Sequence, residues 1–139
     1  MISVSSAVET DDATLQALRS IGSTELADER GAAALFRELG AITPGLVLVG
    51  RIGDVVVAYL TATITPTVSV VHELYVRAEA RGVGVGRALL TATQKIADGS
   101  GSPYLESVVL PGMRASKNFF EAHGLVAQRI VVGRTLTSP

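Results

Sequence analysis

Two spacings of apolar residues alternate along this chain. Leu15, Leu18 and Ile21 recur at a helical interval, as do Leu26, Leu35, Phe36 and Leu39, and later Val85, Leu89, Ala92 and Ile96. Between these stretches lie runs rich in valine, isoleucine, threonine and tyrosine, which read as strands. Valine marks the boundaries, because a β-branched side chain suits a strand and loses rotamer freedom in a helix. Of the eighteen valines, none falls in 9–46, 86–107 or 110–125.

Those three gaps carry the helical signals. Asp11 and Asp12 open the first, as acids in a first turn complement the helix dipole. Ser23 or Thr24 is the expected cap of a second helix, with Gly31 as its break point. The third helix follows a glycine cluster and stops at Gly99-Ser-Gly101-Ser-Pro103. The fourth runs from about Arg114 to His123, with Gly124 closing it. Strands are expected at Ile2 to Ala7, Leu46 to Arg51, Val55 to Ile64, Val68 to Val76, Tyr104 to Leu110 and Leu125 to Leu136. Turn signals at Ile52-Gly53-Asp54 and Thr65-Pro66-Thr67 join three of them into an antiparallel meander. The order is β, α, α, β, β, β, α, β, α, β, which places the chain in the α+β class as a single domain over 1–139.

Composition narrows the function. At 139 residues the chain buries a core without covalent staples. Twelve Lys+Arg against thirteen Asp+Glu leave a net charge of -1, without the basic excess expected of a nucleic-acid or acidic-membrane binder. No cysteine and only two histidines, His72 and His123, exclude a thiolate nucleophile and a multi-histidine metal site. The first twenty residues show no basic region followed by an apolar stretch, and no apolar run approaches the roughly 18 residues of a membrane span. A cytoplasmic protein is therefore expected. Mean hydropathy is +0.40, which fits well-buried valine-rich strands and an apolar face kept for a second subunit.

The candidate chemistry lies in Leu74-Tyr-Val-Arg-Ala-Glu-Ala-Arg-Gly-Val-Gly-Val-Gly-Arg-Ala-Leu-Leu90. Gly82, Gly84 and Gly86 alternate where a strand has ended and a helix begins. Glycine permits unusual backbone angles and close approach of a ligand. The N–H groups of a first helical turn have no partner in the helix, and the dipole adds positive charge. Together they form an anion seat suited to a pyrophosphate, bracketed by Arg81 and Arg87. The dinucleotide fingerprint Gly-x-Gly-x-x-Gly/Ala fails here, since Arg87 or Leu89 falls at its third glycine. Glu106 imitates that fingerprint's ribose-binding acid, but a meander precedes the loop rather than a βαβ unit. The mononucleotide P-loop fails too, for want of Gly-Lys-Ser/Thr.

Arg81-Gly-Val-Gly-Val-Gly86 resembles the Arg/Gln-x-x-Gly-x-Gly/Ala acyl-CoA loop of the GNAT N-acetyltransferases. Leu74-Tyr-Val76 resembles that family's strand leading into the loop. Ala115-Ser-Lys-Asn-Phe-Phe-Glu-Ala-His-Gly-Leu125 resembles its Ala-x-x-Phe-Tyr-Glu-x-x-Gly-Phe helix, and the element order matches. The resemblance implies a single GNAT-like domain, with a mixed, mostly antiparallel sheet of about six to seven strands flanked by about four helices. It implies acetyl-CoA as co-substrate and direct attack of an amine on the thioester. Backbone groups of Leu74, Tyr75 and Val76 would pair with the pantetheine arm. The pyrophosphate would sit on Arg81, Gly82, Val83, Gly84, Val85, Gly86 and Arg87. Asn118 and Phe119 would lie near the acyl end. Arg114 and Lys117 would be offered to the remaining phosphate, against their plain reading as surface cations.

An alkyl amine with a pKa near 10.4 is protonated at neutral pH, so a base is needed. His72 and Glu73 are the titratable residues just upstream of the strand end. Strict alternation along a strand turns them to opposite sides, so only one would look into the site, and His72 shares its parity with Leu74 and Val76. Histidine titrates near neutrality. The plain readings are a hydrogen-bonded strand histidine and a solvated or Arg77-paired glutamate. His123, in a last helical turn, reads as structural. The family's general-acid tyrosine would fall at Phe120, which has no proton to give, and its asparagine would fall at Gly112. The expected function is an N-acetyltransferase acting on a primary amine of a small molecule or peptide. The alternative is a catalytically weak acyl-CoA-binding or sensing module of the same fold. Neither nucleic acid nor membrane is expected as partner, and Ile130-Val-Val132 is the expected pairing strand of a homodimer.

Overall fold

A computed structural model describes residues 1–137. Five strands, β1 (Ile2–Ser6), β2 (Leu46–Ile52), β3 (Val55–Thr63), β4 (Ser69–Val76) and β5 (Leu105–Ser107), form one sheet in sequential order. Neighbours run antiparallel except β4 and β5, which are parallel. A parallel pair needs a crossover. Helix α3 (Val85–Gly99) supplies it, after α1 (Asp12–Leu26) and α2 (Ala32–Gly40) and before α4 (Arg114–Ala122).

Two apolar clusters hold the layers together. On one face, Leu48, Leu60, Ala62 and Val71 of the sheet bury against Val85, Leu89 and Leu90 of α3 and Phe120 of α4. On the other, Val49, Val56 and Tyr59 bury against Leu15 and Leu18 of α1. Arg51 and Asp11 pin the start of α1 to β2 with an ion pair of 2.8 Å, and the other Asp11 oxygen accepts the Val8 N–H at 3.0 Å. Among the described residues no buried side-chain nitrogen or oxygen lacks a partner. None of their helices is long and apolar enough to cross a membrane.

The α+β class, the meander and the crossover helix are as expected from the sequence. Three boundaries differ. Ser23 and Thr24 start no helix: α1 runs through them, and the Thr24 hydroxyl bonds back to the Ser20 carbonyl at 3.0 Å. The break comes later, at Gly31, which takes a left-handed φ of +86° before α2. The sheet has five strands rather than six or seven, because a strand exists only where another pairs with it. β5 pairs at three positions before the chain turns away, and 125–137 pairs with no strand. Its alternating apolar side chains are left outside, with Ile130, Val131 and Val132 each at least 84% exposed.

α3 can approach the sheet this closely because β2 carries no side chain at Gly50. A Cβ there would stand 2.6 Å from Val85 Cγ2 and 3.4 Å from both Ala58 Cβ and Leu89 Cδ1. Gly50→Ala is therefore expected to destabilise the fold by about 1–3 kcal/mol through overpacking, outweighing the roughly 0.4–1 kcal/mol gained from a less flexible unfolded chain. Urea titration should show a lower midpoint at unchanged slope; an unchanged or raised midpoint would show that α3 does not rest on this glycine.

Candidate active site

The sheet opens between its last two strands. β4 pairs with β3 along its whole length, up to Ala58↔Val76. On its other edge it pairs with β5 only from Ser69 to Val71. The Ser107 hydroxyl donates to the Val71 carbonyl at 3.0 Å and closes off the paired part. From His72 to Val76 that edge of β4 has no strand beside it among the described residues. Unpaired strand backbone invites an extended ligand to complete the ladder.

The same half-strand carries a β-bulge. Thr61 pairs with Glu73 and Ala62 with Val71, so His72 is the extra residue. A bulge interrupts alternation and re-aims side chains. Leu74 and Val76 join the α3-side cluster with Val71, whereas Tyr75 packs with the α1-side cluster. His72 and Glu73, expected on opposite sides, both line one cleft on the α1 side. The parity shared by His72 with Leu74 and Val76 is likewise lost at the bulge.

Their surroundings divide the two side chains by role. Glu73 Oε1 accepts from the Tyr59 hydroxyl at 3.1 Å and from Arg19 Nε at 3.3 Å, and Oε2 accepts from the Thr61 hydroxyl at 2.8 Å. A carboxylate so engaged is fixed in place. His72 Nε2 meets the Thr63 hydroxyl at 2.7 Å, and Nδ1 makes no hydrogen bond among the described residues. Burial holds the imidazole below its ordinary 6.5, with the Glu73 carboxylate offsetting part of that. The ring is neutral at pH 7, and in the tautomer that donates Nε2–H to the Thr63 hydroxyl the Nδ1 lone pair is free. Arg77 pairs with Glu79 instead of Glu73.

At the end of the free edge stands the glycine loop. Gly82 and Gly84 take left-handed φ of +83° and +103°. A Cβ at Gly82 would meet nothing within 4 Å, and at Gly84 only Ile2 Cδ1 at 3.7 Å, so the loop surface is open. Gly84 caps α3 without a side-chain bond, leaving the first-turn N–H groups to an outside acceptor. Val83 is exposed, while Val85 is buried beneath the loop. Gly86 faces Phe119, whose ring would lie 3.6 Å from an added Cβ.

The two arginines part. Arg81 reaches back to β4, donating to the Val76 carbonyl at 2.9 Å and to Glu25 of α1 at 2.8 Å, with its guanidinium 5.6 Å from the Tyr75 ring centre. Arg87 instead lines a groove between α3 and β1, with Lys95. Asn118 is exposed on α4, and Lys117 pairs with Glu121 on the same helix. Phe120 is buried in the α3-side core. His123 Nδ1 bonds to the Phe119 carbonyl at 2.8 Å, the structural role expected for it. Arg19, Tyr59, Thr61 and Thr63 are the site neighbours that sequence reasoning missed. The two threonines signal themselves only as polar residues at every second position of an apolar strand, while Arg19 carries no local signal.

Tyr59 reports on this cluster. Burial, then the charge of Glu73, holds its phenol well above the usual value of 10. Glu73→Gln removes the second cause and keeps the first, so Tyr59 should ionise at lower pH in the variant. Alkaline titration of tyrosinate absorbance checks this; an unchanged curve would separate Tyr59 from Glu73.

One comparison with known proteins shows the family and another the fold. A model of the acetyltransferase (GNAT) family matches residues 13–125. A comparison with curated protein sequences gives no match. Among solved structures, AAC(6')-Iy in complex with the bisubstrate analogue CoA-S-monomethyl-acetylneamine superposes with a TM-score of 0.73 at 17% identity, covering 99% of each chain. An aminoglycoside acetyltransferase, meta-AAC0020, from an uncultured soil metagenomic sample and in complex with sisomicin, gives 0.71 at 16% identity over 99% of this chain and 97% of that one. A tetramutant of the BH1408 protein from Bacillus halodurans gives 0.79 at 19% identity over 96% and 99%. At these identities the superpositions establish the fold.

Proposed function

The chain belongs to the GNAT acetyltransferase family, and from that premise we propose that it transfers an acetyl group from acetyl-CoA directly to a primary amine of a small molecule or peptide. Acetyl-CoA is the co-substrate. The observation that carries this reading is the free edge of β4 from His72 to Val76, which ends at an open, positively polarised glycine loop. The residues fit acetyl-CoA. Backbone groups of Leu74 and Tyr75 offer a ladder to the pantetheine amides, which Val76 joins once Arg81 releases its carbonyl. Gly82 to Gly86 offer N–H groups to the pyrophosphate, with Phe119 and Asn118 alongside, and Arg81 and Arg87 would reach it by turning from Glu25 and from the α3–β1 groove.

His72 takes the protons. The ammonium first gives one proton to His72 Nδ1, which passes it to solvent; the free amine nitrogen then bonds to the acetyl carbon, the carbon–sulfur bond breaks, CoA leaves as its thiolate, and the second proton, lost as the amide forms, goes to His72 Nδ1. Glu73 holds the incoming ammonium and steadies the imidazolium that forms. Orientation of amine and thioester supplies much of the remaining rate. One observation favours the weaker alternative, a CoA-binding module without efficient chemistry: Phe120 is buried and cannot protonate the thiolate. A thiol of ordinary pKa, about 8.5, still leaves as thiolate at neutral pH without a full proton donor. The exposed apolar segment at Ile130–Val132 supports pairing between two copies of the chain.

Calorimetric titration tests the donor site. Acetyl-CoA should bind and NAD should not. Gly84→Asp puts a carboxylate into the anion seat and should abolish binding, at a strain of about 1–3 kcal/mol for a side chain at that φ. Gly99→Asp adds the same charge at the far end of α3 and should keep affinity. Retained binding in Gly84→Asp would move the phosphates elsewhere.

The pH profile tests the base. Turnover should rise with pH through the ionisation of His72, with a midpoint below 6.5, because only the neutral ring accepts a proton. Glu73→Gln removes the charge that raises this value, so the midpoint should move lower still. His72→Gln should lose the limb and lower kcat by about 10²–10⁴-fold. A wild-type profile in His72→Gln would assign the proton to another group. Acetyl-CoA binding without release of free CoA from any amine would favour the weaker alternative.

A further inference from the structure

We propose that the acceptor is an α-amino acid with an apolar side chain, its ammonium on Glu73 and its carboxylate on Arg19, because these two opposite charges stand side by side in a cleft whose far wall is apolar. This inference rests on the transferase reading above and names the substrate class for it.

The cleft lies between the bulged half of β4 and the first two helices, with a volume of about 470 Å³, the size of a small-molecule site. Among its lining residues Glu73 is the sole carboxylate and Arg19 the sole permanent cation. They touch at 3.3 Å. Arg19 uses only Nε for that contact, and its ring-stacked guanidinium, 5.2 Å from the Tyr59 ring centre, has no hydrogen bond recorded to either terminal nitrogen among the described residues. An anchored guanidinium with its fork free is a carboxylate receptor. The half-exposed Arg19 is reachable, and Glu73 is more deeply set, with side-chain exposures of 44% and 18%. An ammonium thus goes inward, beside His72, and a carboxylate stays toward the rim.

Adjacent opposite charges in the protein match adjacent opposite charges in the ligand. A peptide N-terminus carries the ammonium without the neighbouring carboxylate. A polycationic amino sugar needs several acids; here it meets one, already shared with Arg19, and pays like-charge repulsion against the guanidinium. Phe36 and Leu39 of α2, with Ile42 and Pro44 after it, form the opposite wall. That wall has no donor or acceptor side chain, so it suits an aliphatic or aromatic side group.

The experiment compares L-phenylalanine, L-phenylalaninamide and neamine as acceptors in the full-length protein, following release of free CoA thiol. The amide keeps the amine and the ring and loses the negative charge, and its less basic amine favours it as a nucleophile, so a preference for the acid counts against that bias. L-Phenylalanine should exceed its amide in kcat/KM by at least about tenfold, the worth of a charged hydrogen bond, and neamine should be the poorest acceptor. In Arg19→Met the acid-to-amide ratio should fall towards one, and Arg19→Lys should restore part of it. Taking the ratio within each variant cancels any disturbance of Glu73. An amide as good as the acid, a superior neamine, or a ratio unchanged in Arg19→Met would overturn the assignment while leaving acetyl transfer standing. No turnover with any of the three, in protein that binds acetyl-CoA, would overturn the assignment; turnover of a different amine would then leave the transferase reading standing, and none from any amine would overturn both.

Discussion

The site depends on β4 losing its neighbour at Val71. Up to that residue the strand is shared between β3 and β5, and beyond it only β3 remains. Buried backbone donors and acceptors must be paired. A strand left bare on one edge inside a folded domain is therefore tolerated only where water or a ligand can reach it. The separation follows from the crossover: β5 is three residues long and then turns away toward α4, so it cannot follow β4 to its end. The Ser107 hydroxyl on the Val71 carbonyl caps the last shared rung. Everything beyond that rung, from the histidine to the glycine loop, is built on the half of β4 that only β3 supports.

That support is strong because β3 is the most buried strand. Ala58, Leu60 and Ala62 are fully buried on the α3 side, and Tyr59 and Thr61 on the other are almost so. With β3 rigid, its hydroxyls become fixed hydrogen-bond partners. Tyr59 and Thr61 orient Glu73, and Thr63 orients His72. Buried polar groups that are fully satisfied fix a geometry, and half-satisfied ones disturb it. Among the described residues His72 Nδ1 has no recorded partner, and the proposed proton acceptor has to be open there.

Much of this fold was legible from spacing. Valine-free stretches located the helices, the Gly53 and Pro66 turns located the meander, and the stripe Val85, Leu89, Ala92 and Ile96 located α3. The glycine loop was legible as an open turn into α3, because alternating glycines before a helix have few other uses. The bulge was not legible: one extra residue in β4 leaves no mark in a run where every residue suits a strand. Its consequence was to turn an expected choice between His72 and Glu73 into a pair facing one cleft. The cleft's other wall was equally hidden, since Arg19 lies 54 positions from its partner Glu73 and only the docking of α1 brings them together. The last strand was over-read for the opposite reason. Leu125 to Leu136 has the composition of a strand, but composition does not supply an edge to pair with.

Phe120 shows how packing and chemistry compete for one position. The ring is 8% exposed, joins the α3-side core, and meets Phe119 edge-on at 5.3 Å between centres. Phe119 in turn braces Gly86 at the start of α3, so the aromatic pair connects α4 to the loop. A phenol at 120 would bring a hydroxyl toward that apolar core and would need a partner there. Phenylalanine avoids the need and keeps the brace, at the expense of a proton donor near the leaving sulfur. The balance is acceptable only if the leaving group departs as an anion, which a thiolate does far more readily than an alkoxide. In the reaction proposed for the chain the weight of the chemistry then falls on removing the amine's protons, and that places the demand on the His72–Glu73 side of β4, where the hydroxyls of β3 have been gathered.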